Sequence, residues 1–284
     1  MNNIKSDKQS RFWREVKSWI IIILIALGLK STIIASYMVP TGSMENTIMT
    51  GDFLIGNKFL FGARTPDWIG IPYTRMGFNI PSYRLPAFTE PEQGDIIIFK
   101  FPRDEHLRYV KRCVAEPGQT LEITNKKLYV DGERFMLPTH GKFARQNTLP
   151  EDFAQGDVFS SSVDNIDNYG PLRIPQKGDT LTIEKTPVHV LKNVLKLSDN
   201  DYSVRDDYML INGRRTNKYI VDKDYYFMMG DNRDNSFDSR YWGFVASDQI
   251  LGKPLFVFMS WNKNMPLYRI TKKIRWHRIG TVVK

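Results

Sequence analysis

The sequence predicts a mainly β protein carried on one N-terminal transmembrane helix. Three observations predict it. There is a single strongly apolar stretch, residues 19–29, close to the start. After residue 39 helix-period patterning nearly vanishes. Short alternating or continuous β-type runs, separated by Gly-, Pro- and Asx-containing turns, replace it. With 284 residues, 42% of them apolar and 13% aromatic, the chain can bury a real core in one large domain or two modest ones.

Residues 1–18 are polar, with Lys5, Lys8, Arg11, Arg14 and Lys17 set against Asp7 and Glu15. The apolar run 19–29 continues past Lys30 in mostly apolar sequence. A transmembrane helix needs about 20 residues. Residues 19–38 make such an anchor if Lys30 snorkels or faces protein, with Ser31, Thr32 and Ser36 near the outer end. A cleaved secretory signal is the alternative. Cleavage near Ser36 would leave the Gly42-Ser43 motif dangling at a new terminus, so an uncleaved anchor is expected. The basic flank precedes the span, and no Lys or Arg occurs between Lys30 and Lys58. The N-terminus should therefore be cytoplasmic and the bulk of the chain outside.

Residues 51–56 read as a short strand. Residues 57–93 form an insert rich in Gly, Pro and aromatics, suited to an irregular β-hairpin or to an aromatic surface in the membrane interface. Residues 94–102 are a buried strand, residues 107–114 a second one carrying Lys111, and Pro117-Gly118 turns the chain. The next hundred residues read as a separate β module, with hairpin signals at Asp131-Gly132 and Asn212-Gly213; within it, residues 140–178 read as loops. Residues 224–229 lead as a strand into an acidic-basic block. Residues 250–261 form a last strand, in which Pro254 suggests an edge or a bulge. The basic, aromatic tail reads as a solvated end that would also suit anionic headgroups.

The formal charge of +9 admits nucleic acid or anionic lipid as partner. No helix-turn-helix, zinc-finger or RNA-binding signature accompanies it, so nucleic acid is not expected and a lipid bilayer suits the charge better. Cys113, the only cysteine, can form no internal disulfide and fits no zinc pattern. His106, His140, His189 and His277 lack metal-ligand spacing. No metal and no cofactor are expected.

The chemistry concentrates in three stretches. Thr41-Gly42-Ser43-Met44 follows the apolar segment and offers a serine two residues after a second hydroxyl. Tyr109-Val110-Lys111-Arg112 places a lysine on a strand, where alternation lets Lys111 point inward while Arg112 points away. A lysine is a base only when neutral, and burial against apolar side chains lowers its pKa. His106, following Asp104, is the alternative base for a Ser-His-Asp set with Ser43. Ser260-Trp261-Asn262-Lys263 matches the S-x-x-K motif of penicillin-binding enzymes, but the chain has no K-T-G. The third stretch, residues 230–243, sets Asp231, Asp234 and Asp238 against Arg233 and Arg240, with Ser236 and Ser239. It lacks the glycine and glutamate of an EF-hand loop and reads as a network that fixes a loop beside a site.

In this order, behind a membrane segment, these stretches resemble the type I signal peptidases. The resemblance implies Ser43 as nucleophile and Lys111 as general base. It also implies an oxyanion hole from the Ser43 N–H and the Thr41 hydroxyl. Ser236 would orient the lysine amine, and Asp238, Arg240 and Arg112 would support the frame. Tyr37, Val39, Ile48 and Val110 would line shallow pockets for the small residues at −1 and −3 of a signal peptide. The implied fold is a two-part, mostly antiparallel β structure. Residues 1–18 would be a cytoplasmic tail and 19–38 the anchor, with residues 39–116 and 225–262 forming a catalytic core. An inserted β domain would span 117–224, and residues 263–284 would be a basic tail. The implied activity is removal of signal peptides from secreted preproteins at the outer face of the bacterial cytoplasmic membrane, with no cofactor. The family often has serine at Thr41 and proline at Asn46. Two other readings stand beside it: a self-cleaving repressor-type protein, against which the apolar segment counts, and a non-catalytic membrane-tethered β protein that binds lipid or a partner.

Overall fold

The computed structural model describes residues 12–22, 34–65, 68–70, 76–160 and 164–284. The chain forms two compact units, residues 1–35 with 57–89 and residues 36–56 with 90–284.

In the first unit residues 12–22 are helical. Among the described residues no helix is long and apolar enough to cross a membrane. The anchor expected over residues 19–38 falls largely on residues 23–33, outside the described residues. Its last five residues are not helix: Ile34–Met38 is a β-strand with alternating exposure. Ile34 and Tyr37, β-branched and aromatic, favour extended backbone. In the 57–89 segment Trp68–Gly70 pairs antiparallel with Gly77–Asn79. Phe59 stacks on Phe88 with ring centroids 4.6 Å apart, and Arg84 Nε donates to the Phe61 carbonyl at 2.9 Å. This is the irregular hairpin the composition suggested. Met76, Phe78, Tyr83, Leu85 and Phe88 are exposed on it.

The second unit is built on a seven-stranded sheet in the order Ile34–Met38, Asp52–Asn57, Ile250–Ser260, Ile96–Phe101, Asp104–Ala115, Tyr225–Met229, Val245–Ala246. Ile96–Phe101 and Tyr225–Met229 are buried along their whole length. Between them runs the Asp104–Ala115 strand, with Ile97 opposite Lys111 and Met229 opposite Arg112. Lys111 is thus in the middle of the sheet, flanked by apolar strands. The last long strand is interior, so Pro254 does not mark an edge. The ladder of that strand with Ile96–Phe101 carries a register shift between Ile250 and Gly252, and Pro254 lies just beyond it.

Smaller sheets occupy residues 120–220. Four strands run in the order Tyr169–Arg173, Thr120–Thr124, Lys127–Val130, Glu133–Arg134, and three run as Tyr202–Val204, Met209–Ile211, Arg214–Thr216. Both Asx-Gly signals are hairpin turns with positive φ at each residue, 52° and 83° at Asp131-Gly132 and 50° and 77° at Asn212-Gly213, as a two-residue turn requires. Val188–Leu197 is a helix inside the stretch expected to be a β module. Its buried Val190, Leu191, Val194 and Leu195 form a single face. A single apolar cluster joins these residues to Leu121, Leu172 and Met209 and to Tyr225, Phe227 and Met229 of the large sheet. The burial of each such side chain stabilises by about 1.5–3 kcal/mol.

The tail is not a free solvated end. Val283 lies in an apolar cluster with Val39, Met44, Ile48, Leu54, Ile96 and Val257. The Val257 N–H donates to the Thr281 carbonyl and the Val283 N–H to the Leu255 carbonyl, each at 2.9 Å. Gly51 sets a second close approach. Its φ is +89°, a Cβ on it would stand 2.1 Å from the Trp261 carbonyl oxygen, and its own carbonyl accepts from the Trp261 N–H. Gly51→Ala is therefore expected to destabilise the fold by about 3 kcal/mol or more, measured as a lower denaturation midpoint with unchanged slope.

Candidate active site

Ser43 stands in the turn between the Ile34–Met38 and Asp52–Asn57 strands and is 9% exposed; Lys111 is 3% exposed. The two side chains meet in a hydrogen bond between Lys111 Nζ and Ser43 Oγ. Burial pushes the lysine pKa down to about 8; Asp238 and Asp231 oppose that and Arg240 assists it. The Tyr109 ring lies 5.6 Å from Nζ.

The serine turn is held from three sides. Asp231, fully buried, accepts from Arg112 Nε at 2.8 Å and Arg112 Nη2 at 2.7 Å, and also from the Thr47 hydroxyl at 2.6 Å. The acidic block is thereby tied both to the lysine strand and to the serine turn. Asn232 donates its backbone N–H to the Ser43 carbonyl at 3.0 Å and its Nδ2 to the Gly42 carbonyl at 3.1 Å. From the tail, Arg278 Nη2 donates to the Thr47 carbonyl at 3.1 Å and to Asp52 at 2.6 Å. Asp52 also accepts from the Ser260 hydroxyl at 2.6 Å and the Met49 N–H at 2.9 Å.

Gly230 explains why this packing needs a glycine without any unusual φ. A Cβ there would lie 2.2 Å from Ser236 Oγ and 2.5 Å from the Ser43 carbonyl oxygen. Asp238 accepts from the Gly230 N–H at 3.1 Å and from Arg240 Nε and Nη2 at 2.9 Å each. It also caps the short Ser239–Trp242 helix. Burial pushes the Asp238 pKa up, yet the Arg240 charge and these hydrogen bonds bring it below the ordinary carboxylate value.

Thr41 is exposed. Arg112 does not point away to solvent: it is 6% exposed and locked on Asp231. The covering of that face by the acidic block, a long-range contact, is what strand alternation alone could not supply. Ser236 is buried and close enough to Asp238 to favour its ionised form, but makes no hydrogen bond of good geometry with any described residue, Lys111 included. Val39 and Ile48 pack in one cluster with the half-buried Val110 against them; Ile48 has no exposed surface. Tyr37 lies over Gly56, where a Cβ would stand 2.9 Å from its ring. Asn46 has φ 79°, open to asparagine and glycine but closed to proline. His106 is exposed. Ser260 is bound to Asp52 and Lys263 to the Pro40 carbonyl at 3.3 Å, so they form no S-x-x-K pair. Among the described residues no group of His, Cys, Asp or Glu could hold a metal ion.

Residues 12–261 match the model of the family described as signal peptidase, peptidase S26. The chain belongs to that family. It is a peptidase, and thus a hydrolase. Among its relatives, the signal peptidase I of Buchnera aphidicola (Schizaphis graminum strain) is 28% identical over 99% of this chain and 85% of the relative. That of Pseudomonas fluorescens is 27% identical over 98% and 82%, and that of Aquifex aeolicus 28% over 87% and 84%.

Sequence reasoning left Asp231 and Asn232 as undifferentiated members of the acidic-basic block and missed Asp52 and Arg278. Asp231 is the most exacting of these, since removing it strands a buried guanidinium. Asp231→Ala is expected to cost the peptidase roughly 3–5 kcal/mol. Asp231→Ala with Arg112→Met should cost clearly less than the sum of the two single changes, as read in a double-mutant cycle by chemical denaturation.

Proposed function

We propose that this peptidase removes N-terminal signal peptides from secreted preproteins, with Ser43 as nucleophile and Lys111 as general base. The observation that carries the reading is the buried contact between Lys111 Nζ and Ser43 Oγ. A lysine with a pKa of about 8 is neutral in about one molecule in ten at pH 7. At its ordinary value the neutral share is about three in ten thousand. Burial thus raises the supply of base several-hundred-fold.

The signal peptide's extended end would lie along an exposed strand. Neutral Lys111 takes the Ser43 proton as Oγ attacks the carbonyl carbon. The oxyanion that forms is held by the Ser43 N–H and the Thr41 hydroxyl. The lysine then gives its proton to the leaving amine, and an acyl-enzyme remains on Ser43. Water, deprotonated by Lys111, hydrolyses that ester and frees the serine. Arg112, Asp238 and Arg240 act through the frame they hold. Tyr37, Val39, Ile48 and Val110 shape the ground on which small residues at −1 and −3 rest. Val39 and Ile48 do so from behind the surface.

The enzyme works at the outer face of the bacterial cytoplasmic membrane, with its N-terminus inside. The apolar run 19–29, the basic flank before it and the exposed aromatics of the 57–89 segment support a bilayer partner. Protease added outside intact cells should digest the catalytic region and spare the N-terminus.

The dyad has three readouts. Ser43→Ala and Lys111→Met should each abolish cleavage of a preprotein ending in Ala-x-Ala while remaining folded; cleavage by Ser43→Ala would refute the assignment. For wild type, kcat/KM should rise tenfold per pH unit below about 8 and level off above it, because only the neutral lysine accepts the proton. The third readout is stability. The folded-state pKa of Lys111 lies below the ordinary 10.5, so the folded chain binds fewer protons than the unfolded chain between about 8 and 10.5, and stability rises with pH there. Below pH 8 the buried charge costs up to about 3 kcal/mol. Lys111→Met should therefore be inactive yet more stable than wild type at pH 7, by a margin that shrinks as pH rises from 8 towards 10.5.

A further inference from the structure

Of the two oxyanion donors, the Ser43 N–H belongs to the backbone, and its direction is set by the peptide unit that contains it. In a trans peptide the N–H and the preceding C=O lie in one plane and point opposite ways. Whatever fixes the Gly42 carbonyl therefore aims the Ser43 N–H. That carbonyl accepts from the Glu45 N–H at 3.1 Å within the turn and from Asn232 Nδ2, across from the acidic block, at 3.1 Å. The Asn232 backbone N–H holds the next carbonyl, that of Ser43, at 3.0 Å. One residue thus grips the peptide units on both sides of the nucleophile. Among the described residues no group accepts from the Ser43 N–H itself.

The orientation of the Asn232 amide follows from chemistry. Its nitrogen faces the Gly42 carbonyl and, at 3.4 Å, a Glu45 carboxylate oxygen. Both can only accept, so the NH₂ must face them. Asn232 is 2% exposed and is itself braced. The Lys142 N–H donates to the Asp231 carbonyl and the Arg233 N–H to the Lys142 carbonyl, both at 2.9 Å. Lys142 Nζ meets the same Glu45 carboxylate at 2.8 Å.

We propose that Asn232 is a positioning residue of the oxyanion hole, acting on the Gly42 carbonyl together with the Glu45 N–H of the turn. It fixes the plane of the Gly42–Ser43 peptide and polarises it through the carbonyl, which makes the Ser43 N–H a stronger and better-aimed donor. This rests on the assignment of Ser43 as nucleophile. Negative charge on the substrate oxygen grows only as the transition state is approached. The contribution of Asn232 therefore falls on kcat and not on substrate binding.

The test uses the full-length peptidase in detergent and two variants, Asn232→Ala and Asn232→Asp, each checked by thermal unfolding. Asn232→Ala should lower kcat roughly ten- to a hundredfold, below the effect of deleting an oxyanion donor outright, with KM within about twofold of wild type. The acid limb near pH 8 should stay in place, because it is set by the burial of Lys111 and then by the charges of Asp238, Asp231 and Arg240, none of which the substitution removes. Asn232→Asp should fall further, since a carboxylate would face two acceptors. A peptide boronic acid, which forms a tetrahedral adduct on the serine, should lose affinity in proportion to kcat/KM, while a cleaved signal-peptide product binds as before.

An unchanged kcat in Asn232→Ala would overturn the proposal, as would equal losses for boronate and product. If Asn232→Ala does not fold, the decision passes to Asn232→Asp, which keeps every backbone contact of the residue; full kcat there would likewise overturn it. Cleavage by Ser43→Ala would instead remove the proposed dyad. An inactive Ser43→Ala beside a fully active Asn232→Ala would remove only the role given to Asn232.

Discussion

Removing a lysine amine from water is the constraint to which the rest of this site is fitted. Burial alone favours the neutral amine, but a sheet centre with one ionisable group and nothing to compensate it would be costly to fold. The two carboxylates closest in influence, Asp231 and Asp238, would by themselves pull the amine back to its charged form. Each is instead locked to its own guanidinium, Asp231 to Arg112 and Asp238 to Arg240. Arg240 offsets part of their pull on Lys111, and burial outweighs the rest. The pairs supply rigid scaffolding while leaving the lysine pKa near 8.

The Asp231–Arg112 pair also contributes to the stiffness of the site, since Asp231 holds the Thr47 hydroxyl as well. A serine in a turn has many conformations, and an attacking oxygen must hold one of them to within a fraction of an ångström. Here the turn is bounded by the block at Asp231-Asn232, by the tail through Arg278, and by Met44 and Ile48, which are sunk in the apolar cluster. No single element does this. Polar clamps fix the direction of the carbonyls, and the packing beneath fixes the depth of the turn.

What the sequence made legible divides along local and long-range lines. Strands with continuous apolar runs, such as Ile96–Phe101, and the Asp131-Gly132 and Asn212-Gly213 turns were readable because period and φ preference are local properties. Helix Val188–Leu197 carried its own signal, apolar residues at 190, 191, 194 and 195 behind Pro187, and was passed over inside a stretch read as β. The Ser43 and Lys111 stretches were visible through their order along the chain. The partners of Arg112 and Thr47 were not, since Asp231 lies 119 and 184 residues away from them. The tail is hidden for the same reason: a basic stretch looks solvated until Arg278 finds the Thr47 carbonyl and the buried carboxylate of Asp52.

The grip of Arg278 on Thr47, across 231 positions of sequence, bears on the order of events during biosynthesis. Contacts of such separation must wait for the intervening chain and close at a late, entropically expensive stage. A nascent chain that has already emerged as far as its serine and lysine still lacks the arginine that steadies the turn. Steadying of the turn is thus a late event, timed by the arrival of the arginine and not by that of the serine or the lysine.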